Sequence, residues 1–195
     1  MQIFESRQGR LKVIGEHPAL DLLNSVDVDR GRVSDFLESG VALARWSEVA
    51  ALTPPDEVQK LVAALEKESV AGAVLGKVHA MRQLLADELL EVRQSEDLAA
   101  LLNDLLPHPL LSAAGEGVIL NSRGDEPAEQ RLLARMALHI VALLLSVPRA
   151  HISQCEAPNC DWFFLDHSGG RRRWCLMQGC GNAAKARRHR AKLST

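Results

Sequence analysis

Four cysteines, all between residues 155 and 180, limit what the end of this chain can become. They form two matched pairs, Cys155-x4-Cys160 and Cys175-x4-Cys180, with fourteen residues between them. A segment this short cannot bury enough apolar surface to fold alone, so it needs a metal, disulfides or a partner. Two disulfides would staple it, but no secretory signal opens the chain, and a reducing compartment is the expectation. The pairing reads instead as a four-thiolate zinc site: the x4 spacing is wider than the commonest knuckle but within the tolerated range. His151, His167 and His189 are nearby nitrogen donors, yet four thiolates already close a tetrahedron. A closed site leaves no position for water, so the expected ion, one Zn, is structural and not catalytic. Trp162, Phe163, Phe164 and Trp174, four of the seven aromatic residues, give the segment a small core of its own.

Charge separates this segment from the rest. From residue 167 onward there are eight Lys/Arg and no Asp or Glu, so the preceding residues hold 15 of the 23 basic and all 25 acidic side chains. A near-neutral pI hides a basic end on an acidic body, the footprint of nucleic-acid binding. Lys185, Arg188 and Lys192 fall at i, i+3 and i+7 on one face of a terminal helix, with Arg187 and Arg190 beside it. Arg171, Arg172 and Arg173 are expected at the end of a hairpin close to the metal. Asn182, near the helix start, suits reading of adenine in a major groove. A solvated basic helix, or one docked on the acidic body, would carry the same charges. Joined to a metal module that carries no acid from residue 167 onward, they are better explained by phosphate binding.

The remaining chain reads as mostly helical. Residues 1–9 look like a loose leader, and 11–15 like a short strand or extended entry. Pro18 opens a short helix through Val26. Further helices are predicted over 41–52, 57–70, 74–93 and 96–106, the three-to-four-residue repeat of Val74, Val78, Met81, Leu85, Leu89 and Val92 being the clearest stripe. Residues 117–122 suggest a small strand. A helix from about 126 to 146, apolar almost all round, belongs at the centre of a bundle and ends at Pro148. Its most apolar run is too short to cross a bilayer. His17, Asp21 and Asn24 cluster around the first short helix. They could line an effector pocket, or they could cap backbone amides and bond to a neighbouring segment. His79 and His139 read as core or boundary residues. No Gly-rich phosphate loop, nucleophile elbow or His-Glu-x-x-His pattern is present, so an enzyme is not expected.

From Cys155 to Lys192 the chain resembles the CGNR zinc finger, a C-terminal module of bacterial transcription regulators. The likeness rests on the cysteine pairs, on Trp162 to Asp166, on Arg172-Arg173-Trp174-Cys175, and on Cys180-Gly181-Asn182 with its basic tail. The Arg that completes the motif is Ala183 here. Gly15 to Ser25, followed by a helix carrying Trp46, is similar to the start of an ABATE domain, the usual N-terminal partner of that finger. The two resemblances imply a mainly α chain: a helical domain over 1–148, with a few short strands, and a small treble-clef-like finger of β-hairpin and basic helix over 149–195. They imply a cytoplasmic bacterial regulator that binds DNA, with the body serving dimerisation and sensing of a small-molecule effector, and no membrane attachment. A zinc-stabilised RNA- or protein-interaction module is the alternative.

Overall fold

The computed structural model describes residues 1–14, 16–29, 32–92, 96–106, 111–114, 117–120 and 126–193. It opens on a two-stranded antiparallel hairpin: β1 (Gln2–Ser6) replaces the expected loose leader, and β2 (Gly9–Val13) covers much of the short strand or extended entry expected over 11–15. Strand alternation explains the order: Phe4, Leu11 and Val13 face the core, while Ile3 points outward and is 44% exposed. Helix α1 (Pro18–Leu23) follows, started by His17, whose Nδ1 accepts from the Ala19 N–H at 3.2 Å, and by Pro18, which has no donor to lose. A second hairpin, β3 (Val26–Asp29) and β4 (Arg32–Asp35), leads into α2 (Gly40–Val49), capped by the Ser39 hydroxyl.

Gly40 is needed where it stands. A Cβ there would come 2.5 Å from the Leu65 carbonyl oxygen, so only glycine allows α2 to approach α3 (Pro55–Leu65) this closely. Helix α4 (Glu68–Leu89) begins six residues earlier than the apolar pattern suggested and buries Ala71, Val74, Val78, Met81, Leu85 and Leu89. It stops before Val92, which is 70% exposed, because Glu91 takes a left-handed φ of 56°. Helix α5 (Glu96–Leu105) and a third hairpin, β5 (Leu111–Ala114) and β6 (Gly117–Leu120), precede α6 (Ala128–Ser146). The prolines expected to end α5 lie outside the described residues.

Helix α6 packs against α1, α3, α4 and α5, the central place its composition suggested. Leu132, Ala137, Ile140 and Leu143 have no measurable exposure. The all-round apolar character does not extend to its end, where Leu145 is 82% exposed. Ion pairs between elements frame the bundle: Arg82 on α4 with Asp35 on β4, and Arg135 and Arg131 on α6 with Glu57 on α3. The architecture is mainly α with short strands. Among the described residues, no helix is long and apolar enough to cross a membrane.

After α6, a single 3₁₀ turn (Arg149–His151) enters a fourth hairpin, β7 (Ile152–Gln154) and β8 (Phe163–Leu165). A π-helical turn (Met177–Gly181) then runs into α7 (Asn182–Leu193). Strand β8 is buried on both faces. Phe163 and Leu165 join the main core of the body, and Phe164, pointing the other way, packs against Cys155, Cys160 and Cys175.

Candidate metal centre and basic helix

Each cysteine pair is positioned by a different element. Cys155 and Cys160 lie in the loop that joins β7 to β8, tied by the bond from the Cys155 N–H to the Trp162 carbonyl at 2.9 Å. Cys175 and Cys180 lie before and within the π-helical turn that starts α7. The hairpin therefore encloses the first pair instead of filling the space between pairs, as the cysteine spacing had suggested. The chain crosses that space through a tight turn organised by Asp166. Its buried carboxylate accepts from the Ser168 N–H at 2.7 Å, the Ser168 hydroxyl at 2.5 Å and the Gly170 N–H at 2.6 Å. These bonds, led by the Ser168 hydroxyl, hold the carboxyl below its ordinary pKa. A Cβ at Gly181 would crowd the Met177 sulfur and come 3.2 Å from the Trp174 ring, so the glycine lets both pack closely on the turn.

The four Sγ atoms lie within 4.8 Å of one another, and two of the separations, Cys160–Cys175 and Cys175–Cys180, are 3.7 Å. Four sulfurs about 2.3 Å from one zinc define a tetrahedron with edges of about 3.8 Å. None of the cysteines forms a disulfide. Their ionisation also calls for a cation. Cys160 is drawn down to about 6, chiefly by its hydrogen bond with Cys175. Cys175 is pushed far upward by that same bond, by burial and by neighbouring negative charge. Burial, then the charges of Cys160 and Cys155, push Cys180 up to about 12. One thiolate forms readily here and later ones are opposed, so a dication is what allows all four to ionise together. The donor set fits one structural zinc on Cys155, Cys160, Cys175 and Cys180, and no histidine joins this group among the described residues. Bound there, zinc supplies cross-linking of hairpin to helix and no open coordination position.

Helix α7 is exposed along nearly its whole length; Ala184 is the one side chain it buries. Asn182, Lys185, Arg187, Arg188, Arg190 and Lys192 all face solvent, as does Ala183 in place of the motif Arg. The three arginines before Cys175 divide. Arg171 is exposed, its Nε anchored on the Ser168 carbonyl at 2.8 Å. Arg173 pairs with Glu156, Nε to Oε2 at 2.6 Å, and lies over the Trp174 ring. Arg172 turns inward, which corrects its expected place among phosphate contacts. Its guanidinium pairs with Glu16, donates to the carbonyls of Leu165, Trp174 and Cys175, and stacks 4.4 Å over the Phe164 ring.

The cluster proposed from sequence as an effector pocket is committed to backbone. His17 caps α1, and Asp21 accepts from the Ile14 N–H at 3.0 Å. Asn24 grips Phe163 of β8 twice, donating to its carbonyl at 2.9 Å and accepting from its N–H at 2.8 Å. His17 also meets His139 of α6 edge-on at 6.0 Å; burial lowers both imidazole pKa values, and the charge of His139 adds to the effect at His17. Glu16, not singled out from sequence, joins this group: its Oε2 accepts from the Leu165 N–H at 2.8 Å. No local pattern reports the partners of Glu16, which lie 149 and 156 residues away; its place just ahead of the helix cap, within the stretch similar to the ABATE start, was the available hint.

Family models match the chain in two consecutive regions. Residues 16–147 match ABATE, described as "Putative stress-induced transcription regulator", and residues 151–192 match the CGNR zinc finger. No curated protein matches the chain.

Proposed function

Since the chain belongs to the ABATE family and carries a CGNR zinc finger after that domain, we propose that it is a cytoplasmic, bacterial-type transcription regulator whose finger binds DNA. The observation that carries this reading is α7, a basic helix with no acidic residue, exposed from its second turn onward and standing on the four-cysteine site. In this reading zinc folds the module, and Lys185, Arg187, Arg188, Arg190 and Lys192 neutralise phosphates, helped by Arg171. Asn182, at the start of α7, reaches base edges. Arg173 contributes less, being paired with Glu156, and Arg172 acts inside the protein.

One small finger buries too little DNA surface for useful specificity, so the body dimerises to bring two together. A hollow of about 520 Å³ between α4, α5 and α6, floored by Val70, Val74, Leu105 and Leu133 and edged by Lys77 and Asp104, supports sensing of a small molecule there. No catalytic step belongs to this reading. The test is binding of zinc-analysed protein to random duplex DNA across a salt series. One zinc per chain with a steep loss of binding as salt rises is expected. One zinc and no binding at low salt overturns the reading in favour of an RNA- or protein-interaction module. Ala183, in place of the motif Arg, is the feature that favours that alternative.

A further inference from the structure

We infer that Glu16 and Asn24, residues of the helical body, are positioning residues of the zinc site, so that metal retention is governed from the entrance of α1. The geometry runs through two backbone clamps. Asn24 satisfies both polar groups of Phe163, the residue of β8 next to Phe164, which packs on three of the four thiols. Asn24 is 2% exposed, so those bonds lie away from bulk solvent. Glu16 holds the next stretch of the same strand through the Leu165 N–H and fixes the Arg172 guanidinium. That guanidinium in turn holds the carbonyls of Trp174 and of the ligand Cys175 itself. Both halves of the metal site, the hairpin loop with Cys155 and Cys160 and the segment entering Cys175, are thereby referred to one short piece of the body. Ile14, packed against the cysteine cluster from the body side, completes the contact.

Groups that orient metal ligands at one remove typically set affinity by about 10–100-fold when lost. The coupling is also reciprocal: what α1 does for zinc, zinc does for α1. This inference rests on zinc occupancy and not on DNA binding, so its failure and that of the proposed function are separate results.

The experiment follows transfer of zinc from the loaded full-length protein to 4-(2-pyridylazo)resorcinol, together with amide hydrogen exchange. Glu16→Gln and Asn24→Ala should each release zinc at least about tenfold faster. Ser47→Ala, which breaks a buried bond to Thr53 within the body, should leave release near the wild-type rate. Wild-type release from Glu16→Gln and Asn24→Ala, or equal acceleration by Ser47→Ala, overturns the inference. A second arm needs no variant and decides the matter where a variant fails to fold. Chelating zinc from the wild type should raise exchange at the amides of Ile14 and Asn24 while leaving α3 protected; unchanged exchange at those amides overturns it.

Discussion

At the scale of single residues, the three arginines before Cys175 show how little a run of like charges says about the use of each. Arg171 to Arg173 are adjacent in sequence, and the turn closed by Asp166 sends one to solvent, one inward and one onto Glu156. The outcomes of substitution should differ accordingly. Arg171→Ala is expected to weaken DNA binding while leaving the melting temperature within a degree or two. Arg172→Ala should cost about 2 kcal/mol in chemical denaturation, because charged hydrogen bonds to Glu16 and three carbonyls are lost together. On α7, removing the charges of Arg187 and Arg188 should weaken binding similarly across sequences and flatten the slope of log K against log salt by up to about 1.8. An unchanged slope would remove both from the phosphate contacts.

At the scale of elements, what could be read in advance was what repeats locally. The buried stripe of α4 follows its three-and-four spacing, and α6 lies at the centre where its apolar girth put it. Hairpins were harder. Val26-Asp27-Val28-Asp29 does alternate, but it follows α1 so closely that it reads as the helix fraying out. The β1–β2 hairpin carries polar residues at both ends of its turn, which dilutes the pattern of Phe4, Leu11 and Val13. The seam between Asn24 and Phe163 joins positions 139 apart, and no local signal reports such a pairing. The ion pairs between elements give a pH dependence with a definite sign. Burial alone would raise the carboxyl pKa of Glu57, yet bonds from Arg135, then the charges of Arg135 and Arg131, leave it lowered. Asp35 behaves likewise, with Arg82 the main opponent of burial. Their stabilisation is complete above the ordinary values of 4.5 and 3.8 and is lost as pH falls below them toward the lowered folded values. His17 and His139, also lowered, withdraw stability earlier, as pH drops below 6.5. Urea midpoints should therefore decline in two stages, with His139→Gln flattening the upper one and Glu57→Gln the lower.

At the scale of the whole molecule, β8 makes the finger and the body one object. A strand with Phe163 and Leu165 in one core and Phe164 in the other cannot leave either without exposing large side chains. Calorimetry should show one transition for the zinc-loaded chain, and chelation should lower its midpoint instead of removing a separate small peak; two resolved transitions would contradict a shared core. Sedimentation at micromolar concentration tests the proposed dimer, and a monomer would count against it. The exposed α7 has a consequence of a different kind. A helix of twelve residues that buries only Ala184 is near the limit at which helices persist in water. Like charges one turn apart, such as Arg188 and Lys192, oppose it further. A bound polyanion would relieve that repulsion and favour the helix. Far-ultraviolet circular dichroism should therefore register a gain of helix when duplex DNA is added at low salt.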